Sequence, residues 1–94
     1  MIFGIFGGKK KEEVLIGEVV HFFPKVKAAI IKVNKEKVAI GDRIRIKGHT
    51  TNFDQTIKSM QIEHELVESV KKGEEVAVKV GKKVRRGDQV FLLK

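Results

Sequence analysis

Hydrophobic and polar positions trade places at a period of two along several short stretches of this chain, and turn-forming residues separate those stretches. The clearest is Arg43-Ile44-Arg45-Ile46-Lys47, where alternation sends both isoleucines one way and three cations the other. Val76-Ala77-Val78-Lys79-Val80 alternates as well, and Gln89 to Leu93 reads as a last strand. Val14 to Phe23, rich in β-branched and aromatic residues and ended by Pro24, predicts a first strand. Lys27 to Val33 is a second, followed by the polar turn Asn34-Lys35-Glu36-Lys37. Gly48 to Asp54 has loop composition, and Gln55 to Glu65 predicts a fourth strand with Met60, Ile62 and His64 on one face. Leu66 to Lys72 suits one short helical turn or two, with Gly73 as a left-handed stop.

One phrase occurs twice: Val38-Ala39-Ile40-Gly41-Asp42-Arg43-Ile44-Arg45-Ile46 and Val84-Arg85-Arg86-Gly87-Asp88-Gln89-Val90-Phe91. Glycine accepts positive φ and aspartate can bond its own backbone, so each copy predicts a tight turn that launches a strand. Six strands at intervals of roughly 8–15 residues, with turn signals between them, predict an all-β fold. A closed six-stranded antiparallel barrel is expected, because closure removes the exposed edges of a small sheet. Residues 1–13 read as an N-terminal tail and 14–94 as the barrel domain.

The 94 residues suffice for one domain and a modest core. A hydrophobic content of 41% with 34% charged residues is that of a folded chain. Cysteine is absent, which excludes disulfides and thiolate metal sites and makes a reducing cytoplasm the expected compartment. No apolar run approaches the roughly 20 residues of a membrane span. The net charge of +8 is uneven. Residues 14–48 and 71–94 each hold eight basic and three acidic groups, whereas 49–70 hold one lysine and four acids. A polyanion such as RNA would prefer the flanking segments, and a solvated basic surface would look the same in sequence.

In order, these strands and turns resemble the second, β-barrel domain of translational GTPases such as elongation factor Tu. The resemblance rests on Ile16-Gly17-Glu18-Val19, Val38 through Ile46, Gly73-Glu74-Glu75-Val76-Ala77-Val78 and Arg86-Gly87-Asp88-Gln89-Val90. A closer resemblance is to the C-terminal barrel of collagenase-like U-type peptidase-family proteins and its free-standing relatives. It is carried by Ile46-Lys47-Gly48-His49-Thr50-Thr51-Asn52-Phe53 and Ser59-Met60-Gln61-Ile62-Glu63-His64. These resemblances imply a translation-protein barrel, which in the GTPases helps to hold the acceptor end of a charged tRNA. The phosphate-binding loop of those GTPases is missing, since Gly7-Gly8-Lys9 lacks both the upstream glycine and the Ser/Thr.

Arg43, Arg45 and Lys47 are placed about 6.6–6.8 Å apart on one strand face, a spacing that can track phosphates. Lys82, Lys83, Arg85 and Arg86 can extend that surface. His49 and Phe53 sit in the adjoining loop, where Phe53 either stacks on a base or folds back to plug the barrel end. His21, His49 and His64 follow no ligand spacing, so no metal or cofactor is expected. Ser59 and Ser69 lack a nucleophile's partners, and Glu63/Glu65 read as solvated surface carboxylates. The expected function is a non-enzymatic module that contacts structured RNA, tRNA or ribosomal. The alternative is a protein-docking module acting in trans with a peptidase-like or RNA-modifying enzyme, through an apolar patch around Phe22, Phe23 or the apolar head Met1–Phe6.

Overall fold

The computed structural model describes residues 13–34 and 37–93. The expected tail therefore lies outside the described residues except for Glu13, which opens the first strand. Ten strands follow in chain order: β1 (Glu13–Phe23), β2 (Ala28–Val33), β3 (Val38–Ala39), β4 (Arg43–Lys47), β5 (Asn52–Thr56), β6 (Met60–Ile62), β7 (Glu65–Val67), β8 (Ser69–Val70), β9 (Glu75–Lys79) and β10 (Gln89–Leu93). Eight form one antiparallel sheet in the order β5-β4-β10-β1-β2-β9-β6-β7, and β3 pairs with β8 alone.

The all-β expectation holds, but its details need correction. The single strand expected over 55–65 is split, because Ile57 turns its side chain into the core and bonds the backbone of the Gly41-Asp42 turn instead of a ladder partner. The helical turn expected over 66–72 is replaced by β7 and β8, held by pairing with Met60–Ile62 and Val38–Ala39. His64 does not share a packing face with Met60. With Glu63 it forms a two-residue hairpin turn, both residues at positive φ (50° and 70°) and both exposed.

A closed six-stranded ladder is also absent among the described residues. The sheet curls until β5 approaches the end of β9, and a side chain bridges the seam. Gln55 donates its Nε2 to the Lys79 carbonyl at 2.8 Å, and its Oε1 accepts the Gly81 N–H at 2.9 Å. The amide thus does the work of one peptide group where no strand pairing reaches.

Curling is built into β1. Its register shifts between Leu15 and Gly17 against β10, and between Val19 and His21 against β2. Each irregularity bends the strand and raises its twist. Ile16 and Val19 consequently both enter the core although they are three residues apart. Gly17 sits at the tightest approach, where a Cβ would collide with the Lys32 carbonyl of β2.

Three turns of one design tie the sheet together. In each, a Gly at φ between 93° and 99° occupies the third position, as a type II turn requires. Asp42, Glu74 and Asp88 follow those glycines, and their side chains accept the N–H of Ala39, Lys71 and Arg85 at 2.8–2.9 Å. The glycine N–H groups donate to the carbonyls of Ile57, Val33 and Val19, whose own N–H groups return to the carbonyl of the acid. The pattern Val-x-x-Gly-Asp/Glu-x-Val/Ile therefore occurs three times, at 38–44, 70–76 and 84–90. Its first and last positions (Val38, Ile44, Val70, Val76, Val84, Val90) are all buried.

Ile16, Val19, Ile44, Ile46, Met60, Val78 and Val90 form the center of the core, each at most 1% exposed. Fully burying one such side chain stabilises by about 1.5–3 kcal/mol. Branched residues dominate because their restricted χ1 suits a pleated surface.

Candidate docking site

Strand alternation divides the outer surface of the sheet into two regions. The first spans β5, β4, β10 and β1, and contains the cation row. Arg45 lies opposite Asp54 of β5 in register and holds it by two bonds, Nε to Oδ1 at 2.6 Å and Nη2 to Oδ2 at 3.0 Å. Its Nη1 also pairs with Glu13 of β1. Lys47 reaches the same carboxylate at 3.3 Å and lies 5.1 Å from the Phe91 ring centroid. Arg43 donates to the Thr56 hydroxyl at 3.2 Å.

These contacts set the protonation of the row. The hydrogen bond to Asp54 raises the Arg45 guanidinium further above its usual value. Desolvation opposes that rise, and the charges of Asp54 and Glu13 reinforce it. Partial desolvation alone would raise the Glu13 carboxyl. The hydrogen bond and charge of Lys47, with those of Arg45, more than offset it and hold Glu13 below its ordinary value of 4.5. Three cations and two carboxylates leave this row with one net positive charge in place of three.

The remaining predicted residues divide. Phe53 pairs in register with the buried Ile46 and packs against the core, the plugging arrangement of the two expected. His49 is exposed and shares a shallow polar depression with Glu18, Lys47, Thr51 and Gln89. Lys82 borders a second depression with Arg45, Lys47 and Asp54. Lys83, Arg85 and Arg86 are exposed around the buried Val84 and line neither depression. No described ion pair involves any of these four cations. Among the described residues no cluster of His, Cys, Asp or Glu is arranged to hold a metal ion. No described helix is long and apolar enough to cross a membrane.

The second region spans β1, β2, β9 and β6 and is apolar. In register, His21 lies beside Ile30, Ile30 beside Ala77, and Ala77 beside Gln61; Phe23 lies beside Ala28. The small side chains Ala28 and Ala77 sink the floor between taller neighbours, Phe23, Val26, Ile30 and Ile62. Phe23 is 45% exposed and Val26 54%. Phe23 also meets the His21 ring at 4.4 Å between centroids. At one end the groove is lined by Glu63, Glu74 and Glu75, and no lysine or arginine lines that portion. Lys79 stands at the opposite end.

Sequence reasoning singled out Phe22 and Phe23, of which Phe22 packs against the core and does not line the groove, and it missed Val26, Ile30 and Ile62. A signal was available in Ala28-Ala29-Ile30-Ile31, whose unbroken apolar run places hydrophobic side chains on both faces of β2.

Comparison with known proteins connects this all-β domain to proteases. The chain is 48% identical over 86 residues to an uncharacterized protease of Methanocaldococcus jannaschii, a match covering 90% of this chain and 21% of that protein. It is 27% identical over 85 residues to a collagenase of Porphyromonas gingivalis, covering 89% of this chain and 24% of the collagenase. The chain thus spans a fifth to a quarter of the length of these relatives. Its fold matches the crystal structure of the C-terminal domain of a Geobacillus thermoleovorans putative U32 peptidase. The TM-score is 0.78 at 18% identity, covering 84% of this chain and 91% of that domain. The selenomethionine variant of that domain gives 0.76 at 19% identity, covering 81% of this chain and 95% of the other. No family model matches. The chain is therefore related in sequence to proteins named as a protease and a collagenase, and it shares the fold of the C-terminal domain of a putative U32 peptidase. The resemblance to elongation-factor barrels gains no support from these relatives.

Proposed function

We propose that this domain is a protein-docking module that serves a peptidase-like enzyme and does not itself carry the chemistry. The observation that carries this reading is the apolar groove in which Phe23 and Val26 are exposed beside the half-buried Ile30 and Ile62. Contiguous exposed apolar surface of this kind marks an interaction site. The sequence relation to longer protease- and collagenase-named proteins, of which this chain matches only a minor part, supports an accessory role. Catalysis would then reside in the portion of such proteins that this chain does not match.

The test is calorimetric titration of the full chain into the archaeal protease from which the matching 86-residue segment has been removed. Saturable binding that persists at moderate salt and is lost in Phe23→Asp/Ile62→Asp is expected. Binding unaffected by that double variant would refute the groove's role.

RNA contact is a second reading, favoured by the exposed cations Lys82, Lys83, Arg85 and Arg86. It predicts tRNA binding with a steep negative salt dependence that charge reversal at these four positions abolishes. Arg45 and Lys47 contribute less to it, since their charges are already opposed by Glu13 and Asp54.

A further inference from the structure

Apolar floor and acidic end together specify the chemistry of an occupant: an extended apolar segment followed, after a short interval, by cations. The chain itself encodes one. Met1-Ile2-Phe3-Gly4-Ile5-Phe6 is apolar, and Lys9-Lys10-Lys11 follows after two glycines. We propose that the groove is covered by residues 1–11 of a second copy of this chain, with the apolar residues against Phe23, Val26, Ile30 and Ile62. The lysines then meet Glu63 and Glu75, while Glu74 keeps its bond to the Lys71 N–H. This inference rests on the groove being a docking site. It adds that self-association competes with the protease partner for the same surface.

The reach of the chain favours a second copy over the chain's own head. Phe6 is seven residues from Glu13, at most about 25 Å at full extension. Phe23 lies ten residues along β1 from Glu13, about 33 Å away. Phe3 of the same chain spans that distance only when fully stretched, and stretching it draws Lys9–Lys11 back along β1, away from Glu63. A neighbouring copy is free of that tether. Two copies exchanging heads bury both grooves in a closed pair, whereas one-way docking builds an open series.

The test is sedimentation equilibrium of the full chain over rising concentration. Reversible self-association is expected, reversed by a synthetic peptide of residues 1–11. Phe3→Asp/Phe6→Asp and Phe23→Asp/Ile62→Asp should each remain monomeric alone, yet form a complex when mixed, since one keeps an intact groove and the other an intact head. Glu63→Gln/Glu75→Gln should weaken association about three- to tenfold and reduce its salt sensitivity. A wild-type chain that stays monomeric while the same groove binds the protease partner overturns this inference and leaves the docking reading standing. Peptide binding to the Phe3→Asp/Phe6→Asp chain combined with a monomeric wild type would assign the groove to the chain's own head, and also overturns it. Association that survives in both double variants refutes the proposed contact.

Discussion

The two outer regions of the sheet carry opposite lessons about reading charge and hydrophobicity. Around β4 the sequence advertises three cations, and the fold brings Glu13 and Asp54 to answer two of them. Around β2 the sequence looks unremarkable, and the fold leaves Phe23 and Val26 exposed beside the half-buried Ile30 and Ile62, with acids at one end. A charged row becomes quiet through partners about 9 and 32 residues away in sequence. An apolar strand becomes a surface because small neighbours leave it uncovered. Both regions hang on the same turn, with one difference. Asp88, a residue only 4% exposed, docks β10 onto β1, and a Cβ on Gly48 would collide with its carboxylate. Glu74 docks β9 beside β2 with its bond exposed, since its side chain lies along the groove.

The contrast can be broken most forcefully at the groove. Phe23→Asp/Ile62→Asp should lower affinity for the protease partner about 30-fold or more, as expected when central apolar anchors are lost. Charge reversal of Arg43, Arg45 and Lys47 together should leave that affinity within about threefold, because the row lies at the rim or beyond it. Calorimetry on both variants measures the difference.

Next in size is the turn. Asp88→Ala leaves the Arg85 N–H without its partner beside the core and should cost about 2 kcal/mol in denaturant unfolding. Glu74→Ala removes an exposed bond that water replaces, and should cost about 0.5 kcal/mol. Equal losses would show that the two turns are not differently buried in solution. Gly48→Ala should rival Asp88→Ala, since the new methyl must displace the carboxylate, at a cost of about 1–3 kcal/mol.

The smallest effect lies in the paired row. Glu13 titrates below 4.5 in the folded chain, so its contribution is complete above that pH and is lost as pH falls through the lowered value. Glu13→Gln should therefore flatten the stability profile below pH 4.5 while lowering stability slightly at neutral pH. High salt should shrink the difference.

Much of this architecture was readable because it is written locally. Arg43–Lys47 alternates strictly and Gln89–Leu93 follows directly on a Gly-Asp turn, and the ends of both were placed to the residue. Two turns were found because Gly-Asp names its own mechanism. The third escaped because Gly73-Glu74 follows Lys71-Lys72, and a glycine after such residues reads equally well as a helix stop. Glutamate's longer side chain makes the same bond from farther away. The Glu63-His64 turn was invisible for a related reason, since a glutamate rarely takes positive φ and the pairing of β6 with β7 holds it there. Seam closure by Gln55 and neutralisation of Arg45 depend on which strands meet, and no local pattern encodes that.

Methyl-resolved NMR of the full chain, titrated with the archaeal protease lacking its matching segment, tests the central claim most directly. Shifts concentrated on the methyls of Val26, Ile30 and Ile62, with the buried Ile44 and Ile46 unmoved, are predicted. Perturbation confined to the vicinity of Arg43–Lys47 and Lys82–Arg86, with the groove methyls silent, would contradict it.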